Sequence, residues 1–476
     1  MSTLPKVAPS DAPNILWICT DQQRYDTIGA LGYPHVRTPS IDRLAGEGGA
    51  FTHAFCQSPV CTPSRASFLT GMYPSSVHGC TNGNAVWAGA APLVSRIFAD
   101  AGFDTGLVGK LHLAGAHGRV EPRGDDGYRV FEWSHHSRNH WPEGHAYADW
   151  LRARGVDPDL VGERPEDLPP ALHQSLWCAE RAIAFMEERR DRPWLLSVNP
   201  FDPHEPFDPP GEILRRYDPE RLPGPLFRES DLASQAKLQG VDFQTGARRP
   251  GEFNARLLQA KYYAMIELLD TAVGRMLEAL ECTGQRERTL VIFTSDHGEM
   301  LGDHGLLLKG CRFYEGLVRV PLILSWPGRI RRGLLSDALV ELVDLVPTIL
   351  EACGLPIPER VQGRSLLPIL TGGAELGRHR DHVRCEYYRG LNPDTPERRG
   401  IFEGSYATMI RDRRYKLVAY HGHPVGELFD LAADPGEFAN LWEDPGHAAV
   451  RFDLLKRSFD DLAFAVDIGP KQVCRY

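Results

Sequence analysis

The chain predicts an α/β fold whose mostly parallel sheet is flanked by helices and followed by a small antiparallel-sheet subdomain, and three observations carry that reading. The first is a set of short apolar runs, rich in β-branched residues, that end abruptly in polar or acidic residues: Asn14 to Thr20 before Asp21, Thr105 to Val108 before Gly109-Lys110, Trp194 to Val198 before Asn199, and Thr289 to Thr294 before Ser295-Asp296. Uninterrupted apolar runs of this length suit parallel strands buried on both faces. The second is the helical patterning between them, clearest from Lys261 to Glu281, where Met265, Leu269, Val273, Met276 and Leu280 share a face and Glu267, Asp270, Arg275 and Glu278 fall mostly elsewhere. The third is a change of texture from about Arg380. There the chain turns to short strand-like pieces, Tyr406 to Ile410, Tyr415 to Tyr420 and Glu427 to Leu431, then a turn at Asp434-Pro435-Gly436-Glu437 and a terminal helix from Ala448 to Phe464. The expected division is a large N-terminal domain over 1–379 and a small α+β subdomain with a tail over 380–476. Asp157 to Pro170 and Tyr217 to Pro250 read as long irregular connections at the rim.

Composition narrows the partners. The 476 residues are 42% hydrophobic and 24% charged, as in ordinary soluble globular proteins, and no run approaches the roughly 18 apolar residues of a membrane span. No membrane association is expected. Residues 1–13 carry one lysine and no apolar core, which argues against a secretory signal and points to the cytoplasm. A formal charge of −10 disfavours nucleic acid, which needs a basic face to release counterions. Ten cysteines without a Cys-x-x-Cys pair suggest neither a disulfide framework nor a zinc site.

Within the first domain, Val60-Cys61-Thr62-Pro63-Ser64-Arg65 to Gly71 places a thiol at the mouth of a short helix. Thr62 is the expected N-cap, Pro63 the first helical residue and Gly71 the stop. Unpaired N–H groups, the helix dipole and Arg65 would hold an anion against Cys61 and lower its pKa. In sheets of this class ligands collect beyond the carboxyl ends of the strands. Asp21-Gln22 and Asp296-His297 end two such strands, and their two carboxylates, amide oxygen and imidazole would form a divalent-cation site. Oxygen ligands favour calcium or magnesium, and the nitrogen leaves manganese open.

The Cys61 run resembles the Cys-x-Pro-Ser-Arg signature of the type I sulfatases of the alkaline phosphatase superfamily, in which the cysteine is oxidised to formylglycine. Gly102 to His112 resembles the second signature of that family, with Lys110 and His112 in the sulfate-binding positions. Phe201-Asp202-Pro203-His204-Glu205-Pro206-Phe207 resembles its Pro-His-x-Pro-Phe element, whose histidine contacts the leaving-group oxygen, and Lys309 matches its later substrate lysine. Glu427 to Leu431 with Asp434-Pro435 resembles the family's C-terminal sheet.

The resemblance implies an alkaline-phosphatase-like domain that hydrolyses a small sulfate monoester to an alcohol or phenol plus sulfate. It implies one divalent cation, calcium first and Mn2+ or Mg2+ as alternatives, held by Asp21, Gln22, Cys61, Asp296 and His297. Catalytic roles fall to Cys61, Arg65, Lys110, His112, His204 and Lys309. The lysines and Arg65 offset transition-state charge, His204 protonates the leaving oxygen, and His112 takes the proton whose loss expels sulfate from the modified residue. Partners are a small sulfate ester and a formylglycine-generating maturation enzyme. A homo-oligomer stays open, with the tail from Asp467 to Tyr476 able to reach a neighbour.

The chain also departs from the commonest family pattern, which has Asp-Asp and Asp-Asn at the two strand ends. Asp21-Gln22 and Asp296-His297 are more similar to choline sulfatases and phosphonate monoester hydrolases. A phosphonate monoester or phosphodiester hydrolase on the same scaffold is therefore the alternative, tilted back towards sulfate by Pro63-Ser64-Arg65, and a catalytically silent binding homologue is a third reading. Plainer readings exist residue by residue. Lys110 and Lys309 could be solvated surface lysines, His112 and His204 core histidines, and Arg65 a partner to a nearby carboxylate. His117, His135, His136, His140 and His145 invite a second metal, and Trp133, Trp141, Tyr387 and Tyr388 a substrate pocket, although packing is the default for both groups.

Overall fold

The computed structural model describes residues 12–87, 89, 91–116, 118–135, 143–389, 404–466 and 474. Eight strands form the main sheet: β1 (Asn14–Thr20), β2 (Gly49–Phe55), β3 (Asp104–Gly109), β4 (Val130–Trp133), β5 (Trp194–Asn199), β6 (Thr289–Ser295), β7 (Arg319–Ser325) and β8 (Leu334–Glu341), in the order β4-β3-β5-β1-β6-β7-β2-β8. The four strands expected from sequence are β3, β5, β1 and β6, which lie side by side and parallel at its centre. Strand β7 runs antiparallel to both neighbours, β6 and β2, so the sheet is mixed.

Four strands of this sheet, β2, β4, β7 and β8, are absent from the sequence reading, and three of them have weak signals for physical reasons. β4 has only four residues, and the N-terminal half of β8 alternates buried and exposed positions. β7 carries Pro321, which cannot donate to a ladder. The register between β2 and β7 shifts between Phe51 and Ala54, where Phe51 opposes Leu322 and Ala54 opposes Val320, so the irregularity falls opposite the proline.

Alternation along the central strands divides the core between two faces. Leu16 and Ile18 of β1, Val108 of β3 and Phe293 of β6 pack against Met265, Val273, Met276 and Leu280 of the helix Ala255–Cys282 and against the helix Gln174–Glu187. Ile15, Trp17, Leu107 and Ile292 point the other way, into a cluster with Ala66, Phe68 and Leu69 of the helix Cys61–Thr70 and Val346 and Ile349 of the helix Leu345–Ala352. On the long helix, Glu267 and Asp270 depart from the expected exposure. Both are buried, and Asp270 accepts hydrogen bonds from the N–H groups of Ser40 (3.1 Å) and Ile41 (2.8 Å) at the start of the helix Pro39–Glu47. The two connections expected to be irregular hold short helices, Asp159–Glu163 and Glu229–Ala236.

Strands β9 (Val383–Tyr388), β10 (Tyr406–Arg411), β11 (Tyr415–Tyr420) and β12 (Gly426–Asp430) form the expected antiparallel sheet, ordered β12-β11-β10-β9. The terminal helix covers Ala448–Phe464, as its sequence suggested. Val383, Cys385, Ala407 and Met409 join the same apolar cluster as Trp17 and Phe68, so the small sheet completes the core of the large one. No disulfide joins the described cysteines. Among the described residues no helix is long and apolar enough to cross a membrane.

A buried ionic cluster fastens the two sheets. Asp344 receives the N–H groups of Arg364 (2.8 Å) and Glu341 (2.9 Å), faces His379 Nε2 at 3.2 Å and pairs with Arg380, whose other arm meets Glu341 at 2.8 Å. Burial opposes ionisation of Asp344, yet Arg380 and His379 outweigh it and hold the carboxyl below its usual range. A depressed carboxylate adds stability above its unfolded value near 4 and loses it as pH falls through the folded value. Chemical denaturation should therefore show Asp344→Asn losing about 3–5 kcal/mol at pH 7, because Arg380 is left buried without its full countercharge. The gap to the parent should narrow below about pH 4.

Candidate active site

The register of the central strands assembles the site. Thr20 of β1 pairs with Ser295 of β6, so Asp21 and Asp296 leave the sheet side by side. On the other flank Gly109 of β3 pairs with Asn199 of β5, and the Asn199 side chain donates to Lys110 O at 2.8 Å, fixing Lys110 at the same edge.

Between them lies the buried helix Cys61–Thr70. Its N-cap is Val60, extended at φ −141°, and Cys61 is the first helical residue, so the expected cap at Thr62 and start at Pro63 are both displaced towards the C-terminus. The displacement is tolerated because N–H groups of the first turn have no intrahelical partner, and a proline in the third position removes none that is needed. Asn82 supplies a cap from outside by accepting Thr62 N–H at 2.9 Å. Gly71 stops the helix at φ 72°, as expected.

Cys61 is 1% exposed. Its Sγ lies 3.1 Å from Lys309 Nζ, 3.2 Å from His297 Nε2 and 3.7 Å from Asp21 Oδ1. Burial alone would raise the thiol pKa, but Lys110, Lys309 and His297 overcome it and leave the group well below its ordinary value. Asp21 Oδ2 bonds Lys110 Nζ and lies 3.6 Å from Arg65 Nη2. Arg65 donates from Nε to Asp296 Oδ2 at 2.8 Å and from Nη1 to Lys110 O at 3.0 Å. The plainer reading of Arg65 thus holds, since it donates to the Asp296 carboxylate and the Lys110 carbonyl and lies at ion-pair distance from Asp21. The surface reading of both lysines fails, because Lys110 is fully buried and Lys309 2% exposed.

Asp21, Cys61, Asp296 and His297 each place a ligand atom within 4.8 Å of the others. The donor set suits a divalent cation: two carboxylates and an imidazole whose Nδ1 faces Gly298 O at 2.8 Å, which turns Nε2 towards the cluster. Gln22, held at φ 68°, gives its N–H to Asp296 Oδ1 (3.0 Å) and accepts Lys309 Nζ at Oε1 (2.6 Å). Its Nε2 donates to Glu205 Oε2 (2.9 Å) and to Glu299.

Two further histidines flank the cluster, His112 at 9% and His204 at 8% exposure. His204 Nδ1 lies 3.0 Å from Glu205 Oε2 and its Nε2 faces Lys309 Nζ at 2.6 Å. Burial would lower His204, but the Glu205 carboxylate prevails and raises it to about 9. Burial and Lys110 lower His112 to about 4. His112 adopts φ 59° and is clamped by Glu121, which accepts the N–H groups of His112 (2.6 Å) and Leu113 (3.1 Å) and Trp133 Nε1 (3.1 Å). Glu121 and Glu299 are the site residues the sequence reading missed. Each is buried and spends its oxygens on neighbouring donors, a role that no local motif marks.

Trp133 and Tyr387 are packed aromatics, the latter donating to Asp242 Oδ2 at 2.6 Å. His135 N–H donates to His145 Nε2 at 3.0 Å, and neither belongs to the metal-capable group found among the described residues. His117, His136, His140, Trp141 and most of the tail after Val466 lie outside the described residues.

Residues 13–355 match the family described as Sulfatase. The chain belongs to the sulfatase family. It is accordingly a sulfuric ester hydrolase, and residues 302–463 also match the C-terminal region described for N-sulphoglucosamine sulphohydrolase. This sulfatase is 31% identical to an arylsulfatase of Clostridium perfringens, with 94% of this chain and 93% of the relative covered. It is equally 31% identical to a choline-sulfatase of Rhizobium meliloti, covering 91% and 83%. A crystal structure of a phosphonate monoester hydrolase of Agrobacterium radiobacter superposes with a TM-score of 0.80 at 28% identity, covering 96% of each chain. The alkaline-phosphatase-like fold expected from the sequence is the one observed.

Proposed function

We propose that this sulfatase cleaves a small sulfate monoester with residue 61 as nucleophile, after a maturation enzyme has oxidised Cys61 to formylglycine, beside one divalent cation. The observation that carries the reading is the placement of Cys61 Sγ at a helix N-terminus, 3.1 Å from Lys309 and 3.2 Å from His297, inside a cluster of two buried carboxylates. Asp21, Asp296, His297 and residue 61 would hold the ion, with Gln22 beside them; calcium is the expected ion. The aldehyde hydrate would supply the attacking oxygen, and the cation would lower its pKa and polarise the sulfuryl group.

The rest is done by the chain's own side chains. Lys110 and Lys309 concentrate positive charge where the nonbridging oxygens of sulfate gather negative charge in the transition state. Arg65 acts by holding Asp21 and Asp296 in place. His204, raised to about 9 by Glu205 and set beside Lys309, would carry the proton for the departing alcohol. His112, lowered to about 4, is neutral at neutral pH and can accept a proton from residue 61 when sulfate is released. Burial of the nucleophile supports a small ester, since Cys61 is 1% exposed and both histidines near it are buried.

The second reading, a phosphonate monoester or phosphodiester hydrolase, is supported by the Gln22 and His297 ligand types and by the Agrobacterium structure. Assays on an aryl sulfate and a phenyl phosphonate ester side by side should give the higher kcat/KM with the sulfate; the reverse ranking would favour the second reading. In both assays Cys61→Ala should lose at least about 10³-fold in rate while unfolding like the parent. Intact mass of the mature parent should be about 18 Da below the encoded value.

His204 generates a pH prediction. It is protonated below about 9 and must be so to serve the leaving group, so turnover of esters with poor leaving groups should decline above about pH 9. His204→Gln should cost such esters about 10²–10⁴-fold and 4-nitrophenyl sulfate, whose leaving group needs little help, far less.

A further inference from the structure

The terminal helix Ala448–Phe464 carries a second pattern that neither the core nor the active site uses. Its inner face is anchored: Leu454 and Ser458 are buried, Leu454 packs on Ile410, Leu417 and Leu428 of the small sheet, and Arg384 and Gln362 bond the carbonyls of Asp461 (2.7 Å) and Ala465 (3.0 Å). The opposite face is a row of exposed residues spaced three and four apart: Ala449, Phe452, Lys456, Phe459 and Ala463, continued just beyond the cap by Val466. That spacing is the heptad seam along which helices pair. Phe452, Phe459 and Val466 are 73%, 72% and 63% exposed, and Phe464 beside the seam is 84% exposed. The exposed phenylalanines, Phe464 included, leave on the order of 450 Å² in water, in the range of the largest apolar patch of a monomer, which is often a functional one.

We infer that this seam is the contact through which two copies of the chain associate, as an antiparallel helix pair about a twofold axis between Arg457 and Ser458. The sequence of the seam is complementary to its own reverse. In that register Phe452 faces Ala463 of the second copy, so a large side chain meets a small one, and Ala449 faces Val466 in the same way; interdigitation of this kind is what a packed interface requires. Lys456, whose ammonium bonds Asp460 one turn on, falls against the second copy's Phe459, where its methylenes cover the ring. A parallel pair would instead set Lys456 against Lys456 and Phe452 against Phe452, a repulsion and an overpacked layer. A membrane surface is a poor occupant, because Asp453, Asp460 and Asp461 balance Lys456 and Arg457 beside the seam and the chain carries a charge of −10.

Sedimentation equilibrium of the full-length protein at micromolar concentration tests this. The expected mass is twice the 53.1 kDa of the chain. Phe452→Glu with Phe459→Glu, and separately Ala463→Glu, should each weaken association at least about 30-fold. Both sets of positions are exposed, so melting at low concentration and aryl sulfate turnover should stay at the parent level. A chain ending at Val466 should remain a dimer. A parent that is monomeric throughout the micromolar range would overturn the proposal. So would glutamate variants that dimerise like the parent, or loss of the dimer on removal of residues 467–476 alone, which would make the tail the contact.

Discussion

Two carboxylates, Asp21 and Asp296, are buried next to each other at the ends of adjacent strands, and the site rests on the arginine that makes this tolerable. Like charges removed from water repel strongly, and each would be driven towards its neutral form. Arg65 answers both from one rigid fork, bonding Asp296 through Nε and lying beside Asp21 through Nη2, with Nη1 fixed on the Lys110 carbonyl. Lys110 completes the neutralisation of Asp21. Burial works against the charge of Arg65, and Asp296 and Asp21 raise its pKa above the ordinary value regardless. Because Arg65 is one helical turn after Cys61, the contact that steadies the carboxylates also fixes where residue 61 points.

From that anchor the remaining contacts follow in sequence. The helix brings its N-terminus to the carboxylates, Lys309 reaches Cys61 from the segment after β6, and the same ammonium touches Gln22 and His204. Gln22 is locked in turn by Glu205 and Glu299, and His112 by Glu121. The site is therefore a closed network of charge-assisted hydrogen bonds in which each member orients the next. Such preorganisation is what stabilising a multiply charged transition state demands.

The parts of this arrangement legible in the sequence were those with local signatures. The central strands β1, β3, β5 and β6 show as apolar runs because both their faces are buried, and the polar residues at their ends mark the site. Cys61, Arg65, Lys110, His112, His204 and Lys309 all converge where the strand ends place them. Five strands escaped, and the patterning of three is diluted: β7 by Pro321, β4 by its length, the first half of β8 by solvent on alternate residues; β2 and β9 escaped as well. The N-cap was misplaced because the cap of the Cys61 helix comes from Asn82, distant in sequence. Glu121 and Glu299 were invisible for a related reason, since their partners are backbone N–H groups and side chains brought near only by folding. Glu267 and Asp270 misled the helix reading because a carboxylate can be buried when other segments supply its partners.

The central claim is that the paired carboxylates and His297 form one cation site against residue 61. Calorimetric titration of the chelator-stripped protein with Ca2+ addresses it directly. One ion per chain should bind to the parent, and Asp296→Asn, folded as judged by its unfolding transition, should give no binding heat. A parent that takes up no divalent ion, or an Asp296→Asn protein that binds as the parent does, would contradict the account.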